Sequence, residues 1–391
     1  MPRLRFDSSH SPTWARTFAA GGIDIELRLA VESADDDDAH GAARGLLDAL
    51  EERSKSARYA GFFAYDLGRC FERLPAPPPT GLYLPMAAFL KCGASRDPCP
   101  APSDAGPRAS AARSNFTKAA YLAAVRRCIE YVAAGDVFQI NLAQQLRIDT
   151  PLSPAEIYAR LRTATPGHYD ALLDFGDYAI ISNSPELFFK VERLPDGRRR
   201  IVNRPIKGTR PAAAGMEAEL VASAKDRAEL AMIVDLQRND LGRICRTGTV
   251  RVLSAREIET HATVVHGVAT VEGILRDDVT LLDVLRAAFP CGSVTGCPKI
   301  RAMQIIDALE PTRRGVYCGA IGWIENGEME FSVAIRTMTL AAGVAHVPVG
   351  GGIVADSDPE SEYAETLVKA RALLSALGVG SETGSLPSGR A

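Results

Sequence analysis

The chain has 391 residues, of which 46% are hydrophobic and 24% are charged, and its net charge is −3. This composition is typical of a globular protein with room for a large core or two to three domains. The near-neutral charge argues against nucleic acid or a membrane surface as partner. No apolar run approaches the ~18 residues of a membrane span, and no signal-peptide stretch opens the chain. The eight scattered cysteines, without a CxxC pair, predict reduced thiols in a cytoplasmic protein rather than a zinc site.

The first part of the chain, residues 1–92, contains short strand-like runs such as IDIELRLAV and YAGFFAYDLG and is predicted to be β-rich. Within it, the acidic run at 32–41 is expected to be a solvated loop. Residues 93–113 are rich in Pro, Ala, Ser and Gly, which predicts a linker or long loop. Residues 379–391 predict a disordered tail. The densest regular patterns lie between these segments, in residues 114–378.

Strand and helix patterns in this block follow one another without a strict β-α-β alternation. A helical pattern, a strand and a strand pair around a Gly-Asp turn come first. Then follow the strand RRIVNRPIKGT, a helix at about 215–240 and strands near 249–253 and 263–274. A helix after Pro298 precedes two strands joined by NGE, and a final helix starts at Pro359. Adjacent strand runs predict an α+β fold with large, mainly antiparallel sheets.

Two of the predicted helices each carry a pair of carboxylates three residues apart, which places each pair on one helix face. The first pair is Asp226 and Glu229, and the second is Glu362 and Glu365. If the two helices face one another, the four groups form an oxygen-ligand site of the kind that Mg²⁺ takes, completed by water and an anionic substrate. Two ordinary acidic helix faces are the alternative.

Two small-residue segments allow a ligand to approach the backbone. Gly292, Ser293, Thr295 and Gly296 precede the helix after Pro298, where free N–H groups bind anions. The segment lacks the Gly-Lys-Ser/Thr order of a P-loop, so a carboxylate is at least as likely a ligand as a phosphate. A capped loop without a ligand is the alternative. The glycines at 350–352 offer either close backbone approach or a flexible turn.

Three further side chains have both a structural and a functional interpretation. Lys207, in RPIKGTRP, could be a solvated charge, a phosphate or carboxylate binder, or a nucleophile. Arg336 lies in an apolar strand and needs a partner, either a structural carboxylate or a bound one. His266, in VVHGVAT, is either a satisfied core histidine or an acid/base group.

Taken together, these stretches resemble the chorismate-utilising enzymes, which include component I of anthranilate synthase, component I of aminodeoxychorismate synthase, isochorismate synthases and salicylate synthases. The segments that carry the resemblance are GDVFQINLAQQ, SNSPELF, RPIKGTRP, AELAMIVDLQRNDLGRI, VVHGVAT, FPCGSVTGCPKIRAMQIIDALEP, YCGAIGW, AIRTM and GGGIVADSDPESEYAETLVKARALL. The resemblance implies the fold of anthranilate synthase component I, with large antiparallel sheets packed as a sandwich and flanking helices.

The resemblance also implies a role for each candidate residue. Glu229 and Glu365 would bind Mg²⁺, with Asp226 and Glu362 supporting them, and the metal would hold the ring carboxylate of chorismate. Glu186 would be the general acid for the C4 hydroxyl, which requires a carboxyl kept protonated by its surroundings. The remaining groups would hold or face the substrate, with Arg336 on the enolpyruvyl carboxylate: Ser293, Tyr317, Arg336, Lys369, the backbone at Gly350 and Gly352, and His266 against the ring.

Two positions distinguish members of the family. By the family's pattern, isochorismate and salicylate synthases carry a lysine base that activates water. This chain resembles them at that position only in part, because it has Gln139 there, so attack by water is not expected. The family's pattern at the second position is PIAGT in anthranilate synthases and PIKGT in aminodeoxychorismate synthases. This chain resembles the latter, because it has Lys207 in PIKGT. The resemblance therefore predicts amination at C4 to 4-amino-4-deoxychorismate, a precursor of 4-aminobenzoate. Lys207 would act as a covalent nucleophile at C2, or in a lesser role orient ammonia or the hydroxyl.

Ammonia would come from a separate glutamine amidotransferase subunit, because no glutaminase domain is visible in the sequence. Two alternatives to aminodeoxychorismate synthase remain open at this point. The first is anthranilate synthase component I, and the second is a non-catalytic scaffold that only binds the amidotransferase.

Overall fold

The computed structural model describes residues 3–7, 16–20, 25–27, 37–75, 78, 82, 84–94, 110–260 and 264–379. The predicted tail lies outside these ranges apart from Val379, and so does most of the predicted linker. Among the described residues, no helix combines the length and the apolar character needed to cross a membrane.

The described residues form strands and helices that we number in chain order. The strands are β1 Arg3–Asp7, β2 Arg16–Ala20, β3 Ile25–Leu27, β4 Tyr59–Phe63, β5 Ala87–Ala94, β6 Arg113–Ser114, β7 Gln139–Asp149, β8 Tyr169–Asp174, β9 Tyr178–Ser184, β10 Leu187–Arg193, β11 Arg199–Arg204, β12 Ile206–Pro211, β13 Arg251–Thr260, β14 Val264–Ile274, β15 Gly296–Cys297, β16 Ala320–Glu325, β17 Glu328–Val333, β18 Thr337–Ala341 and β19 Val344–Ile353. The helices are α1 Asp37–Ser54, α2 Lys118–Ala133, α3 Pro154–Ala164, α4 Met216–Ala222, α5 Ala224–Gly242, α6 Leu281–Ala288, α7 Lys299–Leu309 and α8 Pro359–Ala376.

The strands form two antiparallel sheets that share β5. In the first sheet the order is β5–β2–β1–β8–β9–β18–β19–β7, and β6 and β15 both pair with β7. In the second sheet the order is β3–β5–β4–β16–β17–β10–β11–β14–β13, and β12 continues along β14 beyond β11. Strands from the N-terminal part therefore pair directly with strands of the later region.

The two sheets pack face to face around one apolar layer. Phe6 and Ile180 of the first sheet belong to the same buried cluster as Phe62 and Ile321 of the second. The Phe62 ring also meets Phe175 edge to face, with centroids 5.6 Å apart, an arrangement that aromatic quadrupoles favour. This is the predicted α+β sandwich, and the fold prediction is confirmed.

Helices cover the outer faces of both sheets. Apolar residues of α1, α5 and α6 pack with β10 and β17 of the second sheet. Apolar residues of α3 and α8 pack on β18 and β19 of the first sheet, and α2 and α7 pack on β7. The site described below lies where α5 and α8, from these two helical layers, approach the same cavity.

Two local expectations need correction. The acidic run was expected to be a loop, but its second half begins α1 at Asp37, because the following apolar residues have helical spacing and pack in the core. The helix predicted at about 215–240 is two helices, α4 and α5. Ser223 separates them with an extended backbone, and its side chain caps α5 by accepting from the Asp226 N–H.

Candidate active site

A cavity of about 500 Å³ lies between the two sheets, and α5 and α8 both reach it. It is large enough for a small organic substrate. All thirteen residues predicted for the site line it: Glu186, Lys207, Asp226, Glu229, His266, Ser293, Tyr317, Arg336, Gly350, Gly352, Glu362, Glu365 and Lys369.

The four carboxylates reach the cavity from the first two turns of two helices. The Ser223 cap places Asp226 and Glu229 at the start of α5. Asp358 caps α8 by accepting from the Ser361 N–H, and Pro359 occupies the first helical position. Because residues three apart share a helix face, both members of each pair point into the cavity.

Each carboxylate has a polar partner in this arrangement. Glu229 lies 3.9 Å from the ammonium groups of both Lys207 and Lys225, and Glu365 pairs with Lys369 at 2.7 Å.

The other two carboxylates have partners on their own sides of the cavity. The Arg210 guanidinium donates to Asp226 at 3.0 Å, and the Ser357 hydroxyl donates to Glu362 at 2.6 Å. Lysines are thus the partners of Glu229 and Glu365, whereas an arginine and a serine are the partners of Asp226 and Glu362.

The donor set suits a hard divalent cation such as Mg²⁺, because it consists of carboxylate oxygens from two sides of one cavity. At Gly351 a Cβ would stand 3.1 Å from a Glu362 oxygen and 3.9 Å from a Glu365 oxygen. The absence of a side chain at this position therefore gives the two carboxylates room. Within the described ranges, however, no three Asp, Glu, His or Cys side chains are gathered as metal ligands.

Burial and charge act in opposite directions on the α8 pair. Burial raises the pKa of Glu362, and the neighbouring Glu365 adds to this effect. Burial also opposes ionisation of Glu365, but the adjacent Lys369 ammonium holds the pKa of Glu365 below its ordinary value. A bound cation would favour the ionised form of both groups.

Glu186 lies in the turn between β9 and β10 and is almost fully buried. Its Oε1 accepts a 2.6 Å hydrogen bond from the Ser293 hydroxyl. Burial raises the pKa of Glu186 to about 7, although the Ser293 hydrogen bond and the Lys207 charge both favour ionisation. A carboxyl that is partly protonated at neutral pH and faces a substrate-sized cavity is suited to general acid catalysis.

Lys207 is held in the cavity wall by an irregular strand. The pairing of β12 with β14 shifts between Ile206 and Thr209, and Gly208 has a φ of +80°, which glycine adopts without strain. The Lys207 ammonium lies 3.5 Å from the Gln139 Oε1 as well as near Glu229. Burial lowers its pKa, while the Glu229 charge opposes that change.

Arg336 supplies a cationic side chain to the cavity wall. Among the described residues, no hydrogen bond or ion pair involves its guanidinium, and burial lowers its pKa. Its φ is +48°, a left-handed backbone that costs free energy in a non-glycine residue. A partly buried cation of this kind is suited to a carboxylate from a ligand.

The remaining lining residues include several that sequence reasoning missed. Thr209 Oγ1 lies 2.9 Å from His266 Nδ1 and so fixes the orientation of the imidazole. Asn141 lines the cavity from β7, and Lys225 lines it from α5. The pattern of β7 offered a signal, since Asn141 is polar in a strand whose neighbours are buried. Lys225 carried no signal that separates it from an exposed helical lysine.

The chain belongs to the chorismate binding enzyme family, whose sequence profile matches residues 5–375. A protein from Thermus thermophilus named anthranilate synthase component 1 is 41% identical over 360 residues, which cover 81% of this chain and 76% of that protein. A protein of the same name from Aquifex aeolicus is 44% identical over 278 residues, 69% of this chain and 55% of that protein. The chain thus spans little more than half the length of some relatives.

A solved structure agrees with these sequence matches. The crystal structure of anthranilate synthase component I from Streptococcus pneumoniae has a TM-score of 0.78 and 28% sequence identity, and the match covers 95% of this chain and 92% of that one. The fold is therefore that of anthranilate synthase component I.

The family prediction is confirmed, and the protein is a chorismate-utilising enzyme. The prediction of an aminodeoxychorismate synthase is wrong, and the comparisons do not support the link to 4-aminobenzoate. Relatives at 41–44% identity are anthranilate synthases. The prediction depended on one side chain, Lys207, whereas similarity over most of the chain reflects the whole cavity wall and its supporting core.

Proposed function

We propose that this chain is component I of an anthranilate synthase, which converts chorismate and ammonia to anthranilate, pyruvate and water. The observation that carries the proposal is the 41% identity with the Thermus thermophilus protein, because that match covers most of both chains. The cavity supports it, because it combines a buried acid, four carboxylates and a guanidinium that no described residue pairs with.

In the proposed reaction, ammonia adds at C2 of the ring while the C4 hydroxyl leaves and the double bonds shift. Hydroxide is a poor leaving group, so the departing oxygen needs a proton, and Glu186 is placed to donate it. The enolpyruvyl group then leaves as pyruvate, and loss of the C2 proton makes the ring aromatic. His266, held by Thr209, would lie beside the ring.

Charged groups at opposite sides of the cavity would hold the two carboxylates of chorismate. Arg336 would grip one of them through a bidentate contact, which would satisfy its guanidinium. Ser293, Tyr317 and the β19 backbone at Gly350 and Gly352 would complete the walls.

We further propose Mg²⁺ as the cofactor. Glu229 and Glu365 would bind it directly, Asp226 and Glu362 would support them, and Lys369 would move with Glu365. The ion would neutralise the second substrate carboxylate and so hold it beside four anionic side chains.

Lys207 receives a supporting role in this reaction. Its ammonium lies 3.9 Å from Glu229 and 3.5 Å from Gln139, where it can orient ammonia or the leaving hydroxyl. A separate glutamine amidotransferase subunit would supply the ammonia, as the sequence analysis predicts.

The test is to incubate the purified chain with chorismate, Mg²⁺ and an ammonium salt, and to measure products by chromatography and pyruvate by a coupled assay. We expect anthranilate and pyruvate in equal amounts. Accumulation of an aminated ring without pyruvate would contradict the proposal. Absence of any turnover, with a folded protein that activates a glutaminase, would instead support a scaffold.

A Lys207→Ala variant tests the role of the lysine in the same assay. We expect anthranilate formation within about tenfold of wild type, because an orienting amine contributes little compared with a nucleophile. Intact-protein mass spectrometry should show no covalent adduct in either protein. An adduct in wild type that disappears with all activity in the variant would contradict this role.

A further inference from the structure

Buried polar side chains continue from Glu186 away from the cavity and into the core. Asn203 on β11, Gln237 on α5 and Cys291 before the short helical turn at Gly292–Val294 are each at most 2% exposed. None of the three was predicted for the site, and none lines the cavity. Buried polar groups cost free energy unless they are hydrogen-bonded, so their contacts indicate what they do.

The side-chain contacts lead step by step to the acid. The Asn203 amide donates to Gln237 Oε1 at 2.6 Å, and the Gln237 amide donates to the Cys291 sulfur at 3.6 Å. Cys291 Sγ lies 3.2 Å from Ser293 Oγ, and the Ser293 hydroxyl donates to Glu186 at 2.6 Å.

The direction of donation follows from counting protons. Ser293 has one hydroxyl proton, and its contact with Glu186 uses it. The contact between sulfur and oxygen can then be a hydrogen bond only if the Cys291 thiol donates it. Burial raises the pKa of this thiol to about 12, so the proton is present at neutral pH. Gln237 faces the sulfur with its amide donor, which leaves the sulfur to accept there.

We propose that Asn203, Gln237 and Cys291 form a one-way hydrogen-bond relay that keeps the Ser293 hydroxyl donating to Glu186. They are positioning residues, since none of them touches the substrate cavity. While Ser293 donates to Oε1, it cannot turn to receive the Glu186 proton. That proton is then confined to the other carboxyl oxygen. The relay rests on the proposed function only in giving Glu186 the role of acid.

Other charged and titratable groups surround Glu186 and the relay. The Lys207 ammonium on β12 and the Ile206 N–H favour the ionised carboxyl. Lys299 on α7 acts on Cys291 and pairs with Asp240 at 2.9 Å. His266 on β14 lines the same cavity, and so do Tyr317 and Arg336 from two loops.

The test is an infrared titration of the full chain that follows the carboxyl band of Glu186, identified by its absence in Glu186→Gln. In wild type we expect a midpoint near pH 7. In Cys291→Ala the midpoint should rise by about 0.5 unit, because Ser293 loses its donor and becomes free to accept the Glu186 proton. Gln237→Met should shift it in the same direction, since the thiol loses its amide donor.

Two matched variants serve as controls. Cys291→Ser keeps a hydrogen-bond donor and should titrate close to wild type. Cys128→Ala removes a buried thiol in a different core cluster and should leave the midpoint unchanged. An unchanged midpoint in both Cys291→Ala and Gln237→Met would overturn the relay. A lower midpoint would also contradict the proposal, because the hydrogen bonds would then run in the opposite direction. Because the band does not depend on turnover, a failed relay and a failed anthranilate assay are separate results.

Discussion

Glu186 is the residue whose protonation most directly links the structure to chemistry. Its burial raises the pKa to about 7 from an ordinary value of 4.5, so near neutral pH both forms are present. If the protonated form is the acid, kcat should fall as pH rises through about 7. We expect Glu186→Gln to lower kcat by about 100-fold or more, the usual size of a lost general acid.

The raised pKa of Glu186 also makes the stability of the folded protein depend on pH. A folded-state pKa above the unfolded one means that the folded protein loses stability as pH rises from about 4.5 to about 7. Glu186→Gln removes this buried charge, so at pH 8 its free energy of unfolding should exceed that of wild type by up to ~3 kcal/mol. Near pH 4.5 the difference should vanish. Denaturant unfolding at the two pH values measures it, and a variant that is less stable at pH 8 would contradict the assignment.

At the scale of single elements, β19 shows three glycines with different functions. At Gly350 a Cβ would stand 2.6 Å from the Leu142 carbonyl oxygen on β7, which cannot move without disrupting the sheet. At Gly351 it would meet the Glu362 carboxylate at 3.1 Å, and at Gly352 the Gln139 amide at 3.0 Å. The sequence shows one triple glycine, but only the first position constrains the backbone.

Alanine variants at these positions should therefore behave differently. Gly350→Ala should lose about 1–3 kcal/mol of stability, because of overpacking against the main chain. Gly351→Ala should fold, but the rise in Tm caused by Mg²⁺ should be smaller than in wild type, since the methyl group displaces Glu362, a carboxylate proposed to support the metal ligands. Thermal melts with and without Mg²⁺ measure both effects.

A control for this series is available on α1. At Gly45 a Cβ would meet nothing within 4 Å, and alanine is the better helix former by about 1 kcal/mol. Gly45→Ala should thus raise Tm and leave the Mg²⁺ effect unchanged. A Mg²⁺ response in Gly351→Ala equal to that of wild type would argue against a metal beside Glu362.

At the scale of the whole molecule, the N-terminal strands are part of the common core. β1 pairs with β8, β4 pairs with β16, and Phe62 on β4 is fully buried against the first sheet. We expect Phe62→Ala to lower the free energy of unfolding by about 3–5 kcal/mol. In calorimetry the loss should move one main transition, because the two sheets share this layer.

An exposed phenylalanine provides the comparison. Phe138 is 67% exposed, so Phe138→Ala should change the stability by no more than about 0.5 kcal/mol. If Phe62→Ala produced a separate early transition while the rest of the chain melted as in wild type, residues 1–92 would behave as an independent unit.

The sequence by itself determined those features that depend on spacing within one element. The carboxylate pairs on α5 and α8, the start of α8 at Pro359, the antiparallel sheets and the family all follow from local patterns. The identity of the product did not follow from one motif, since Lys207 pointed to C4 amination while the similarity of the whole chain favours anthranilate.

Only the tertiary structure decided which distant residues meet. It placed α5 opposite α8, left Arg336 without a partner among the described residues, and joined Asn203 to Glu186 through three buried side chains. Periodicity specifies which face of a helix or strand is apolar, and this is a local property. The contact between residues far apart in the chain depends on how those faces pack, and on polar groups that must find partners once water is excluded.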